Sequence, residues 1–79
     1  MVMELTFGEK IRLLREDAGL TQTDLGKLVN MTQRKVSYLE NNTYEPSIDD
    51  LKALCLHFHV SADYLLGFRK QLPYPSRHK

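Results

Sequence analysis

The sequence holds a single cysteine, three prolines and four glycines in 79 residues. One thiol cannot close an internal disulfide or build a cysteine-based zinc site, so the fold has no such staple. That absence points to a reducing, cytoplasmic setting. The glycines, Gly8, Gly19, Gly26 and Gly67, are scattered, so no glycine-rich phosphate loop is present. The longest uninterrupted apolar run, Ala53 to Leu56, falls far short of the roughly 20 residues of a membrane span. The opening MVMELTFGEK lacks the pattern of a signal peptide. Charge of one sign is also missing: the formal net charge is only +1. Nucleic-acid-binding domains are often strongly basic, so composition alone does not point to one.

What is present is ordinary globular material. Hydrophobic residues make up 42% and charged residues 27%, which argues against wholesale disorder. A chain of this size is one small domain, burying about 60–65% of its unfolded surface. The near-neutral average conceals an uneven distribution. Residues 1–20 sum to −1, residues 21–45 balance, residues 46–66 sum to −2, and residues 67–79 sum to +4. Residues 1–67 are therefore expected to form the domain. Residues 68–79, basic and carrying two of the three prolines, are expected to be an extended or mobile tail.

The domain reads as five short helices. Thr6 caps the first, with Glu9 completing a capping box, and Phe7, Ile11 and Leu14 form its apolar stripe. Gly19 ends it. Thr21 caps the second, helped by Asp24, with Leu25 and Leu28 predicted inward. Gly26 lies within this helix and costs about 1 kcal/mol against alanine, so a second helix is expected to pass close to it. Asn30 suits a left-handed turn. Thr32 caps the third helix, whose inner side is Val36, Leu39 and Glu40, and Asn41-Asn42 ends it. Pro46-Ser47 opens the fourth, with the stripe Ile48, Leu51, Leu54, Cys55 and Phe58. His59 stops it, and Ser61 caps a fifth helix through Leu66. The fold class predicted is an all-α, compact five-helix bundle. Its second and third helices, joined by a tight turn within residues 21–41, form a helix-turn-helix.

At 100° per residue, the outer face of the third helix carries Gln33, Arg34, Ser37, Tyr38 and Asn41. A helix of this diameter fits a DNA major groove, where Gln pairs in bidentate fashion with adenine and Arg with guanine. The N-terminal residues of the second helix of such a motif reach base edges. Gln33, Arg34, Ser37 and Tyr38 are the candidate base readers, although Tyr38 could instead pack along the sugar–phosphate wall. Phosphate contacts are assigned to Thr21 and Gln22 at the start of the second helix, where free N–H groups favour an anion. Thr32, Lys35, Asn41, Thr43 and Tyr44 complete that set. For Thr43 and Tyr44 an ordinary polar loop explains the residues equally well, and for Lys35 and Lys27 surface solvation is the plainer reading. Glu40 lies on the core side, where an unpaired carboxylate is costly.

The stretch FGEKIRLLREDAGLTQTDLGKLVNMTQRKVSYLENN, followed by YEPSIDDLKALCLHFHVSADYLLG, resembles the Cro/repressor-type (XRE-like) helix-turn-helix regulators of phages and bacteria. Its marks are Leu20-Thr21-Gln22, Thr32-Gln33, Leu39-Glu40-Asn41, Pro46-Ser47 and Val60 through Leu66. The likeness runs from Phe7 to Gly67. It departs from the family pattern at Gly26, where Ala is typical, and at Asn30 and Asn42, where Gly is common. The resemblance implies the lambda repressor-like fold, a phosphate-clamping role for Gln22, and an ion pair between Arg15 and Glu40. It also implies a two-fold dimer formed after the fourth helix. Leu56, opposite the stripe of its helix, together with Tyr64, Leu65 and Phe68, is the expected dimer surface.

Other chemistry is set aside. His57 and His59 point to different sides of a helix and make no metal pair. Cys55 on an apolar stripe reads as a small core thiol. Asp49-Asp50 complements a helix N-terminus. Nothing converges on a nucleophile, base and pocket, so no enzyme, cofactor or metal is expected, and no small-molecule effector is indicated. The expected function is a transcriptional regulator, a repressor by resemblance, binding double-stranded DNA at an inverted repeat as a homodimer. Two alternatives stay open: a protein-interaction module such as an antitoxin or adaptor on the same fold, and the DNA-binding part of a longer regulator.

Overall fold

Every helix among the described residues begins on a hydroxyl. The computed structural model describes residues 4–68. These form α1 (Phe7–Asp17), α2 (Gln22–Val29), α3 (Gln33–Glu40), α4 (Ile48–Phe58) and α5 (Ala62–Leu66). The side chains of Thr6, Thr21, Thr32, Ser47 and Ser61 each accept the backbone N–H of the residue three positions on. Three of these caps are reciprocal: Glu9, Asp24 and Asp50 accept the N–H of their own cap residue at 2.8, 3.0 and 3.1 Å. A cap of this kind contributes about 1 kcal/mol. Bonds from the backbone and then the hydroxyl of Thr21 hold the Asp24 carboxyl below its ordinary pKa.

The helices stop where the chain turns left-handed. Asn30, Asn42 and His59 have φ of 61°, 60° and 57°. Asn42 does more than turn. Its Oδ1 accepts the Gly8 N–H at 2.9 Å and its Nδ2 donates to Thr6 Oγ1 at 2.8 Å, tying the end of α3 to the start of α1.

Among the described residues the architecture is wholly helical, the predicted five-helix bundle, with no strand. α1 packs on α3 and α5, α2 on α3 and α4, and α4 on α5. Ile11, Leu25, Val29, Val36, Leu54 and Leu65 form one buried cluster, with Phe7, Leu14, Leu20 and Leu51 against it.

Three inward or outward assignments need correction. Leu28, predicted inward, is 55% exposed, and Val29 is buried in its place. The rotation follows from Gly26: a β-carbon there would overlap the Met31 carbonyl oxygen, so the glycine edge of α2 must face the α2–α3 turn. The close neighbour is thus the turn and not a second helix. Ile48, predicted on the core stripe, is 74% exposed. It is the first residue of α4, and its side chain tilts back toward the helix start, beyond the core. Leu65, predicted at an exposed dimer surface, is 1% exposed and belongs to the core cluster. A five-residue helix has room for one fully inward side chain, and here it is Leu65. Of the expected tail, Phe68 is described and exposed; residues 69–79 lie outside the described residues.

Lys10 has no counterpart in the sequence reading. It is buried on α1, with Nζ donating to the Tyr64 carbonyl at 2.6 Å and standing 4.9 Å from the centre of the Tyr64 ring. The ammonium thereby satisfies a carbonyl at the C-terminal end of α5, where a cation is favoured.

Candidate nucleic-acid interface

The α2–α3 turn is set by two small features. Asn30 adopts the left-handed conformation, and the Met31 N–H donates to the Gly26 carbonyl at 2.7 Å. Thr32 then starts α3, accepting the Lys35 N–H at 3.0 Å. Burial of Val36, Leu39 and Glu40 fixes the rotation of α3. Gln33 and Arg34 are consequently exposed at its N-terminal end, with Ser37 and Tyr38 half-buried beside them. These four predicted readers share one outward face.

Behind that face stands an ion pair. Arg15 Nε meets Glu40 Oε2 at 2.6 Å and Arg15 Nη2 meets Glu40 Oε1 at 3.0 Å. Side-chain exposure is 12% for Arg15 and 2% for Glu40. The third guanidinium nitrogen donates to the Leu20 carbonyl at 2.8 Å. The bond to Glu40 raises the Arg15 pKa against the opposing effect of burial, and the charges of Glu40 and Glu16 add to the rise. Gln22 joins this pair to the outer face. Its Nε2 donates to Glu40 Oε1 at 3.1 Å, and its Oε1 accepts from Gln33 Nε2 at 2.7 Å. Sequence reasoning missed this link, because Gln22 and Gln33 are assigned to different helices and no local spacing connects them.

The flank after α3 is also ordered. The Thr43 N–H donates to the Tyr38 carbonyl at 2.8 Å, and the Tyr38 and Tyr44 rings meet edge to face at 4.7 Å. Asn41 Nδ2 reaches Ser37 Oγ at 3.4 Å. An open groove of about 430 Å3 lies here, lined by Arg34, Tyr38, Tyr44 and Glu45 among others. Lys35, assigned to phosphate from sequence, is engaged within the chain: its Nζ lies 2.9 Å from Asp50 Oδ2. Burial pushes the Asp50 carboxyl up, but Lys35 and the Ser47 bonds outweigh it and hold it below the ordinary range. Thr21, Thr32, Asn41, Thr43 and Tyr44 are all exposed, and Thr32 and Tyr44 line this groove. Burial raises the pKa of the half-buried Cys55 thiol, which stands away from this face on α4. Among the described residues, no three metal-ligating side chains come together.

Two helices of eight residues, a three-residue turn and an exposed polar face on the second describe a motif, and the family model of helix-turn-helix proteins matches residues 11–65. The chain belongs to this helix-turn-helix family, in its Cro/repressor-type (XRE-like) branch. Among curated helix-turn-helix relatives, it is 32% identical over 63 residues to the HTH-type transcriptional regulator ImmR of Bacillus subtilis (strain 168), covering 80% of this chain and 50% of that one. It is 35% identical over 75 residues to the repressor protein C2 of Salmonella phage P22, covering 91% of this chain and 35% of that one. The chain thus spans half or less of the length of these two relatives. The crystal structure of the P22 c2 repressor protein in complex with a synthetic operator superimposes with a TM-score of 0.77 at 34% identity. That match covers 81% of this chain and 97% of the other.

Proposed function

We propose that this helix-turn-helix chain is a transcriptional regulator, acting as a repressor, that recognises double-stranded DNA by laying α3 in the major groove. The observation that carries the reading is the exposed Gln33–Arg34 pair at the start of α3, with Gln33 already held by Gln22. Donors at this place on the second helix of the motif reach base edges. The likeness to a P22 repressor domain bound to an operator supports it. Gln33, Arg34, Ser37 and Tyr38 read bases. Thr21, Gln22, Thr32, Asn41, Thr43 and Tyr44 hold phosphates, and Lys35 joins them by releasing Asp50. The near-neutral charge fits neutral donors and helix N-termini in place of a basic patch. Few phosphates are neutralised per subunit, so the salt dependence is shallow.

A small reader of this kind gains from doubling its contacts. The proposal includes a homodimer on an inverted repeat, with half-sites roughly 34 Å apart. Leu56 is 75% exposed and lines an apolar groove with Ile48, Leu51 and Val60; Leu66, 51% exposed, borders the adjoining groove. Tyr64 and Phe68 line a different groove, beside Lys10 and Gly67. With Leu65 in the core, the second copy is assigned to the Ile48–Leu56–Leu66 side. The regulator acts in the bacterial cytoplasm, and its gene is bacterial or phage-borne; among the described residues no helix is long and apolar enough to cross a membrane.

Selection from a random DNA pool followed by sequencing is expected to return an inverted repeat; no enrichment at low salt defeats the proposal. Arg34→Ala is expected to relax preference at one base position by about 1–3 kcal/mol. Equal weakening on all sequences would make Arg34 a phosphate contact. Leu56→Asp is expected to shift the sedimenting species from dimer to monomer, and an unchanged mass rejects the surface.

A further inference from the structure

The Lys35–Asp50 ion pair has one fixed partner and one mobile one. Asp50 is built into the start of α4: its Oδ2 accepts the Ser47 N–H at 3.1 Å, and its own N–H donates to Ser47 Oγ at 3.1 Å. The Lys35 ammonium sits across both carboxylate oxygens, 3.0 Å from Oδ1 and 2.9 Å from Oδ2. Side-chain exposure is 12% for Asp50 and 40% for Lys35. Lys35 reaches the carboxylate on a flexible four-carbon stem. If the pair opens, the lysine is the partner that moves. A pair open to solvent on one side is weak enough to be exchanged.

The pair lies in the groove beside α3, which Arg34, Tyr38 and Tyr44 also line. α3 carries two cations, Arg34 and Lys35. With Lys35 held, Asp50 cancels its charge, and Arg34 is the cation that α3 presents. A cation set on a phosphate adds affinity by releasing counterions, and does so on any sequence. A lysine free at this place would strengthen every complex, wrong sequences included. Held by Asp50, it leaves only for a phosphate that competes with a carboxylate already 2.9 Å away. Such a phosphate must be close and steady. A protein on non-specific DNA slides and hops along the backbone, so its phosphate contacts are transient. On a sequence that α3 reads, base and phosphate contacts together hold one register.

We infer that Asp50 is a specificity-determining residue: by holding Lys35, it withholds one cation from non-specific DNA and yields it to a phosphate only where α3 is seated on its sequence. This deepens, and rests on, the DNA-reading role proposed above for α3. Asp50 touches neither base nor phosphate. It works against binding in general and so widens the gap between the right sequence and the rest.

Asp50→Asn, Lys35→Met and the double variant test this in the full chain. Asparagine keeps an oxygen for the Ser47 N–H, so the cap of α4 stands. Affinity is measured against salt on the sequence that wild type selects and on unrelated DNA. Asp50→Asn is expected to tighten binding to unrelated DNA roughly fivefold, with a log–log salt slope steeper by about one. On the selected sequence, where Lys35 is already on its phosphate, the slope is expected to stay. The ratio of selected to unrelated affinity therefore falls. In the Lys35→Met background the same change at Asp50 is expected to gain little. An equal gain there overturns the inference, since Asp50 would then act by repelling DNA on its own. An unchanged ratio overturns it too. If wild type enriches no sequence, the DNA reading itself has failed, and acetylation of the free chain decides whether Asp50 holds Lys35. The rate at Lys35 relative to the exposed Lys27 is expected to rise about threefold in Asp50→Asn; an unchanged rate overturns the hold.

Discussion

Arg15→Met is expected to destabilise the chain by about 3–5 kcal/mol. The cost arises at Glu40 more than at Arg15. The Glu40 side chain is 2% exposed and loses both guanidinium donors, keeping only the Gln22 Nε2–H. A buried carboxylate with one neutral donor must either stay charged out of water or take up a proton. A domain of this size has a total stability of about 4–12 kcal/mol, so the loss removes roughly a quarter of it or more. Urea unfolding of wild type and variant measures the difference. Removing the second charge as well, in Arg15→Met with Glu40→Leu, should recover part of the loss, because no unpaired charge then remains. A loss under about 1 kcal/mol in the single variant would mean that water reaches Glu40 and the pair counts as a surface one.

Gly8→Ala carries the second large effect. A β-carbon at Gly8 would overlap the Glu40 carbonyl oxygen and lie 2.6 Å from its carbon, with the Leu39 carbonyl equally near. These are backbone atoms, so no side chain can swing aside; α1 must move off the end of α3. Overpacking of this kind costs about 1–3 kcal/mol. Displacing the Gly8 N–H from Asn42 Oδ1 adds about 1–3 kcal/mol more. The helix propensity gained from alanine returns only about 1 kcal/mol. The expected net loss is about 1–5 kcal/mol, centred on about 3 kcal/mol, read as a fall in the urea midpoint at unchanged slope. Gly19→Ala is the comparison. Nothing lies within 4 Å of its β-carbon, and only its φ of 72° resists substitution, worth about 1–2 kcal/mol. A Gly8→Ala variant as stable as Gly19→Ala would show that α1 and α3 do not approach so closely.

The five helix starts were legible from sequence because capping is local chemistry. Thr6 with Glu9 and Ser47 with Asp50 lie three residues apart, and each bond closes within that span. The left-handed stops at Asn30 and His59 were legible for the same reason. The inward faces were less so. In helices as short as α2 and α5, stripes spaced by three and by four residues differ by one rotation. What decides between them is a distant backbone: Met31 against Gly26 for α2, the core cluster around Leu65 for α5. Of the candidate site, the outward set of Gln33, Arg34, Ser37 and Tyr38 follows from helical period alone. The Gln22 link and the Lys35–Asp50 pair do not, since their partners are 11 and 15 residues apart.

The bond from Lys10 to the Tyr64 carbonyl makes the described chain close on itself. α5 has five residues, too few to be a stable helix in isolation, and it holds its shape against α1. As a result Glu4 and Leu5 line the same groove as Gly67 and Phe68. The two ends of the described fold are neighbours, and domains built this way tolerate circular permutation. A short linker from position 68 to position 4, with new termini opened in the exposed 43–45 loop, would leave every described helix and the bonds among Arg15, Glu40, Gln22 and Gln33 intact.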